Sequence, residues 1–320
     1  MKIDIGINEG NQRLDKFCRK LFKDVPLSAI YKGIRKGDIK VNGKKGKEKY
    51  MLQEGDVVEI KYLQSNNKEN KKDYIKVEKN GIKITYEDSN ILLVEKWPGV
   101  LVHADKNVNE ITLTDHVLSY LDEKGDYTPE TELTFRPSSC NRLDKNTSGI
   151  VIFGKNFLAT KDMNEMLRER MIDKYYVALV KGRIKDGRYE AYIEKNHNTN
   201  ESKVSLKPNG DCKKIAMEVK VLESVGIFSF IEMKLLTGRS HQLRAHLSFL
   251  GNPIVGDPKY GDKKSNEYFH NKYGLNYQFL YSYKLVFREC TENLKYLESK
   301  TIAESLPPIF KRIKKDVMKF

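Results

Sequence analysis

Five residues have types and settings suited to chemistry on a bound substrate: Arg142, Asp144, Tyr176, Arg239 and Arg244. Asp144 lies in the polar stretch Asn141-Arg142-Leu143-Asp144-Lys145-Asn146-Thr147-Ser148-Gly149. This runs directly into 150–153, which has the length and β-branched content of a buried strand. A carboxylate is thereby placed at a strand's mouth. To act as nucleophile or base it must stay ionised in a partly dry cleft, which an arginine within hydrogen-bond reach favours. Arg239 is the better candidate for that partner, because it precedes a helix expected to open on Ser240 as N-cap and its guanidinium is free to leave the helix. A second reading gives Asp144 only a turn-capping role, accepting the amides of Asn146 to Ser148. Other constellations are missing from the chain. It has no phosphate-binding glycine loop, no Gly-X-Ser-X-Gly and no Cys/His cluster with zinc spacing, which leaves a cofactor-free reaction. His241 and His246 are five residues apart and fall on different helical faces at about 100° per residue, which argues against a two-histidine metal site. His103 suits structural hydrogen bonding and Asp257 turn capping.

The elements that must position these groups follow from periodicity. Apolar residues in 11–22 recur at helical spacing, with Asn11 as expected N-cap and Arg13, Lys16 and Lys20 on the polar side. A second helix starts at Ser28, exposes Lys32, Arg35 and Lys36, and stops at Gly37. Residues 39–41 and 55–60 read as two strands of a small sheet, with Asn42-Gly43 as a turn. Next, 64–73 is polar with almost nothing apolar to bury, and reads as a tether. Strands are expected at 82–87 and 91–96, a helix at 112–123, the 150–153 strand, a helix at 160–173 and a strand at 174–182. Alternation along that last strand puts Tyr175 and Tyr176 on opposite faces, so one of them faces a cleft. Further strands at 188–193, 203–206, 216–223 and 227–236 are joined by short Gly- and Asn-containing turns, so much of this sheet is antiparallel. A strand at 280–287 and a short basic helix at 306–315 complete the chain.

With 320 residues and 39% hydrophobic content the chain can bury a sizeable core, and 58 Lys+Arg against 44 Asp+Glu leave a net charge of +14. That excess suits a polyanion such as nucleic acid, or a lysine-rich protein that merely stays soluble. The cysteines Cys18, Cys140, Cys212 and Cys290 are far apart and read as reduced thiols. No apolar run approaches the roughly 18 residues that span a bilayer, and the start lacks a signal core, so a cytoplasmic protein without a membrane partner is expected.

Residues 1–62 resemble the RNA-binding domain first described in ribosomal small-subunit protein four, the alpha-L domain. The matching residues are Arg13-Leu14-Asp15-Lys16-Phe17, Ile34-Arg35-Lys36-Gly37, Ile39-Lys40-Val41-Asn42-Gly43 and Gly55-Asp56-Val57-Val58. By this resemblance the faces carrying Arg13, Lys16, Lys20, Lys32, Arg35 and Lys36 dock on RNA shape and phosphates. The remainder resembles the RluA-type RNA pseudouridine synthases. The match runs through Arg142-Leu143-Asp144-Lys145-Asn146-Thr147-Ser148-Gly149, Lys174-Tyr175-Tyr176-Val177-Ala178, Leu236-Thr237-Gly238-Arg239-Ser240-His241-Gln242-Leu243-Arg244 and Pro253-Ile254-Val255-Gly256-Asp257 with Tyr260-Gly261. With its N-terminal module the chain is most similar to the RluC and RluD type that act on large-subunit ribosomal RNA.

The resemblance implies an α+β fold: a mixed, largely antiparallel central sheet with flanking helices and an RNA-binding cleft over 78–320, a linker over 63–77, and a small α/β module over 1–62. It implies site-specific isomerisation of uridine to pseudouridine by a monomer without cofactor or metal, through base flipping. Asp144 is then the catalytic aspartate, Tyr176 the ring stacked on the target uracil and Arg239 the ion-pair partner of Asp144. Arg142 fills the gap left by the flipped uridine, and Arg244 is a further RNA-side candidate. Two departures from the family pattern, Asn141 in place of His and Leu280-Tyr281-Ser282 in place of Leu-His-Ala, bear on fine RNA contacts and target choice. Competing readings are a synthase acting on tRNA, a non-catalytic RNA-binding or ribosome-assembly factor, and a metal-dependent phosphoesterase using Asp144, His241, His246 and Asp257.

Overall fold

The computed structural model describes residues 1–63, 74–78, 81–104, 110–130, 132–196, 201–208 and 210–319. At the N-terminus, β1 (Lys2–Asp4), β4 (Val57–Ile60), β2 (Ile39–Val41) and β3 (Lys44–Lys45) form an antiparallel sheet in that order. Helices α1 (Leu14–Leu21) and α2 (Leu27–Lys36) pack on it through Leu14, Phe17, Ile30 and Ile34, all almost fully buried. Gly37 closes α2 at φ 81, the left-handed C-cap expected there. Asn11 is not the cap of α1. Its φ of 55 turns the chain so that its N–H donates to Leu52 O at 2.8 Å, and the helix starts three residues later, behind Arg13. The sequence reading also lacked β1, which is too short and polar at its ends to show a period.

The larger unit is one sheet in the order β11 (Glu201–Ser205), β10 (Gly187–Asn196), β12 (Lys213–Val225), β13 (Phe228–Leu235), β9 (Ile172–Lys181), β14 (Leu280–Phe287), β8 (Ser148–Gly154), β6 (Ile91–Lys96), β5 (Lys83–Glu87). β7 (Ser138–Ser139) joins β8, and β15 (Thr301–Ala303) joins β14. All of these pairs are antiparallel except β14 with β8. On one face lie α3 (Leu113–Lys124) and α5 (Gln242–Phe249), which contribute Leu113, Val117, Leu121, Leu243 and Leu247 to a core with Val151, Phe153 and Ala178. The opposite face is covered by α4 (Phe157–Arg168), α6 (Lys263–Tyr273) and α7 (Pro308–Val317), through Met163, Phe269 and Phe310. The fold is thus α+β with a mixed, mostly antiparallel sheet.

The helix expected over 160–173 instead ends at Arg168. Asn156 caps its start by accepting from the Ala159 N–H, Arg170 turns at φ 61, and 172–173 already pair with β14. The polar helix α6 went unforeseen because its buried side chains are only Ser265 and Phe269.

Most of the proposed linker, 64–73, lies outside the described residues. The end of the 63–77 linker is packed rather than free: Tyr74 Oη donates to Asp122 at 2.6 Å, and the Ile75 and Val77 amides donate to Asp115 and Ser119 on α3. The N-terminal unit also touches the larger one directly. Asn8 Nδ2 donates to Glu132 at 2.9 Å while its Oδ1 accepts the first amide of α4, from Phe157. Gln12 donates to Thr134, and Lys20 Nζ stands 4.8 Å above the Phe157 ring.

One backbone feature positions the site. Gly149 has φ 124, and a Cβ there would stand 2.2 Å from Ser282 O, so only glycine lets β14 run parallel to the start of β8. The loop carrying Asp144 ends against this point.

Candidate active site

Residues 141–147 are held by backbone and buried groups, which leaves the Asp144 carboxylate unengaged by its own turn. The Thr147 N–H donates to the Asp144 carbonyl at 3.0 Å, so the turn uses the main chain of Asp144 and not its side chain. Thr147 Oγ1 accepts from Gln278 Nε2 at 2.9 Å in the interior. Asn141 clamps the loop to β8, with Oδ1 accepting the Ile152 N–H at 2.8 Å. Beneath the loop lies Lys96, fully buried, whose Nζ donates to the carbonyls of Lys145, Val100 and Trp97 at 2.8, 2.9 and 3.1 Å. An ammonium has three N–H groups, and each finds an acceptor here, joining the bend after β6 to the residue next to Asp144. Burial pushes this ammonium down to about 7, with the Asp144 charge opposing. Sequence offered no sign of it, because a lysine before Trp-Pro-Gly reads as surface.

The ion-pair partner of Asp144 is Arg244, not Arg239. Arg244 Nη1 donates to Asp144 Oδ2 at 2.9 Å. Its Nε and Nη2 hold Asp257 Oδ2 and Oδ1 at 2.7 and 2.9 Å, a two-pronged grip that fixes the plane of the guanidinium. Burial would lower the Arg244 pKa, but Asp257 and Asp144 together raise it. The difference from the sequence expectation has a helical cause. α5 does not open on Ser240; the residue before its first is His241, in a left-handed conformation. Gln242 Oε1 takes the Arg239 N–H at 3.1 Å and the Thr237 hydroxyl at 2.9 Å. Starting at Gln242, the first turn aims Arg244 inward, while Arg239 stays exposed on the rim of the cleft.

The cleft has a volume of about 1090 Å³, and Arg142, Asp144, Tyr176, Arg239 and Arg244 all line it. Tyr176 is the cleft-facing tyrosine, and burial, reinforced by Asp144, pushes its phenol up to about 12. Its neighbour Tyr175 faces the other way, with Lys284 Nζ 4.1 Å from its ring centre. Arg142 is exposed at the mouth. His103 has the expected structural role: the Thr114 hydroxyl donates to Val102 O at 2.6 Å and accepts from His103 Nδ1, while Ser139 Oγ sits 2.7 Å from Nε2. Asp257 caps its turn as expected, accepting from the Lys259 and Tyr260 amides, and adds the unforeseen grip on Arg244. No group of three or more His, Cys, Asp and Glu among the described residues is arranged to hold a metal ion.

The two departures from the family pattern lie differently: Asn141 lines the cleft, whereas Tyr281 lies inside the sheet. Asn141 is bound to β8, and Tyr281 is fully buried, donating to Glu95 Oε1 at 2.8 Å. Tyr281 belongs to the packing of the sheet, which corrects the expectation of an RNA contact at that position, while Asn141 both clamps β8 and lines the cleft. On the N-terminal unit, Lys16, Lys32, Arg35 and Lys36 are exposed, whereas Arg13 is paired with Asp15 at 2.6 Å and Lys20 sits on Phe157.

His246, on α5 behind Arg244, is 1% exposed and burial pushes it down to about 4. The unfolded chain, at an ordinary value near 6.5, therefore takes up a proton first on acidification. Stability owed to the neutral ring is complete above about pH 6.5 and is lost as pH falls toward 4, by at most about 3 kcal/mol. Urea melts across that range should show this slope, and His246→Leu should flatten it. An identical slope in the variant would assign the acid sensitivity elsewhere.

Comparisons with known proteins bear on the family and the fold. The profile of the RNA pseudouridylate synthase family matches residues 90–249, and that of the S4 domain matches 12–58. An uncharacterized RNA pseudouridine synthase of Mycoplasma capricolum is 34% identical over 95% of this chain and 97% of its own. Ribosomal large subunit pseudouridine synthase C of Vibrio vulnificus is 32% identical over 89% of this chain and 87% of its own. Among solved structures, human RNA pseudouridylate synthase domain containing 4 superposes with TM-score 0.58 at 22% identity, over 73% of this chain and 92% of that one.

Proposed function

Since this chain belongs to the RNA pseudouridine synthase family and isomerises uridine in RNA, we propose that its target is large-subunit ribosomal RNA and that Asp144 is the residue that acts on the flipped uridine. The observation that carries the assignment is the Asp144 carboxylate, released from its own turn and held at 2.9 Å by Arg244 inside the cleft. Target class is supported by the Vibrio relative, whose name specifies the ribosomal large subunit and whose match includes most of both chains.

In this reading Arg244 orients the carboxylate, and Asp257 fixes Arg244. Tyr176 offers its ring to the uracil, Arg142 enters the space the base leaves, and Arg239 meets RNA at the rim. Flipping is required because the glycosidic bond is hidden in a stacked strand. The bond from N1 to the sugar breaks, the uracil turns, and C5 joins the same sugar carbon. The C5 proton leaves and N1 gains one, so the products balance without a cofactor. Asp144 serves either by adding to the sugar or by removing its 2-prime proton. The chain works as a cytoplasmic monomer divided into a module at 1–62 and a catalytic unit from 78, and the exposed Lys16, Lys32, Arg35 and Lys36 hold RNA through its phosphates.

Pseudouridine mapping of large-subunit RNA from cells lacking the protein tests the target: at least one modified position should revert to uridine. An unchanged map would shift the target to another RNA. Deleting residues 1–62 should weaken RNA binding and lower the salt slope by about one for every phosphate that the module neutralises. An unchanged slope in a filter-binding titration would remove the RNA role from this module.

A further inference from the structure

His241 has backbone angles φ 55 and ψ 16, an uncommon conformation for a residue with a Cβ and one kept where the surroundings over-determine it. Those surroundings come from the far edge of the sheet. On β11, the Ser202 N–H donates to Tyr260 Oη at 2.7 Å, and Ser202 Oγ donates to Ser240 O at 3.1 Å, next to His241. Tyr260 Oη in turn lies 2.9 Å from His241 Nδ1, and its ring lies 5.3 Å from the Arg244 guanidinium. The Tyr260 oxygen already accepts from the Ser202 N–H and also bonds the Ser202 side chain, and in the arrangement proposed below its proton goes to His241 Nδ1. The ring is then neutral with its proton on Nε2. Burial keeps the ring below its ordinary pKa, with Arg244 and Lys259 acting the same way and Asp144 and Asp257 opposing. The two ring nitrogens point in widely divergent directions, so with Nδ1 on Tyr260 the Nε2–H is turned away from it, and His241 lines the cleft together with Asp144 and Tyr176.

The geometry points to His241 as a further substrate-contacting residue, whose Nε2–H donates to a carbonyl oxygen of the flipped uracil, with Tyr260 as the positioning residue that selects this tautomer. This rests on the reading of the cleft as the uridine site. An uncharged donor matches an uncharged carbonyl, whereas the rim arginines Arg142 and Arg239 match phosphates. A donor placed beside Asp144 also fixes which way the uracil faces when the carboxylate meets the sugar.

The test compares full-length wild type, His241→Ala, Tyr260→Phe and the double variant on RNA carrying uridine, 2-thiouridine or 4-thiouridine at the target, with thermal melting of each protein. On uridine, His241→Ala lowers kcat/KM by about 10-fold. Tyr260→Phe, which keeps the ring on Arg244, gives a loss of the same sign, and the double variant is no slower than His241→Ala alone. On the thio-substrate altered at the contacted oxygen, the gap between wild type and His241→Ala closes, because sulfur accepts weakly. Additive losses, an unchanged His241→Ala rate, an equal gap on all three RNAs, or losses that follow only a lowered melting temperature would overturn the assignment. A wild type that turns over no uridine RNA would instead defeat the uridine reading itself.

Discussion

Asp144→Asn should bind RNA within about threefold of the wild type yet form pseudouridine more than about a thousandfold more slowly, because the amide keeps the shape of the side chain and loses its charge and basicity. Binding persists because it is distributed over phosphate contacts on the N-terminal module and the cleft rim. The fold tolerates the change: the turn at 144–147 is closed by the Asp144 carbonyl, and the carboxylate is about a quarter exposed, at 27%. Paired binding and rate measurements on one RNA check this. Parallel loss of binding and turnover would return Asp144 to a structural role.

The second large effect is at Arg244. Its fork satisfies Asp257, whose side chain is 0% exposed, as well as Asp144. Arg244→Ala would strand a buried carboxylate, at a cost of about 3–5 kcal/mol. For a unit of this size that lowers the melting temperature by about 10 °C. Turnover should fall at least about a hundredfold, since Asp144 loses its orientation. Arg244→Lys keeps a positive charge but cannot reproduce the planar two-pronged contact, and should recover part of the stability and little of the rate. Arg239→Ala, on the rim, should melt as the wild type does and lose mainly RNA affinity. Calorimetry and single-turnover rates on the three variants separate the arginines. A stable Arg244→Ala with normal rate, beside an inactive Arg239→Ala, would restore the pairing expected from sequence.

That pairing shows where sequence reading ends. The strands that carry Asp144 and Tyr176 were legible as apolar runs, but local signatures left Asp144 between a turn cap and a reactive group and left Tyr175 and Tyr176 open, and only the resemblance to a family chose between them. The choice between Arg239 and Arg244 depended on helix phase. Ser240 is a good capping residue, yet the Gln242 side chain and a left-handed His241 move the start of α5 by one position, and a different arginine turns inward. Lys96 was hidden for another reason: its charge is met by three carbonyls from two loops brought together only by the fold. Tyr281 looked like a surface change toward RNA but is fully buried, because a difference from a family pattern does not say which way a side chain points. The parallel pairing of β14 with β8 is likewise non-local, and Gly149, whose need for a positive φ reveals it, is one of 21 glycines in the chain.

The central claim is that this cleft isomerises uridine with its own carboxylate. It is tested most directly by incubating the purified chain, with chelator and no added cofactor, on unmodified large-subunit ribosomal RNA labelled with tritium at uridine C5. Joining C5 to the sugar must expel that label. The account predicts tritium release to a fixed stoichiometry by the wild type and none by Asp144→Asn. RNA that is bound but retains all its label with the wild type, or equal release by the Asp144→Asn variant, would contradict it.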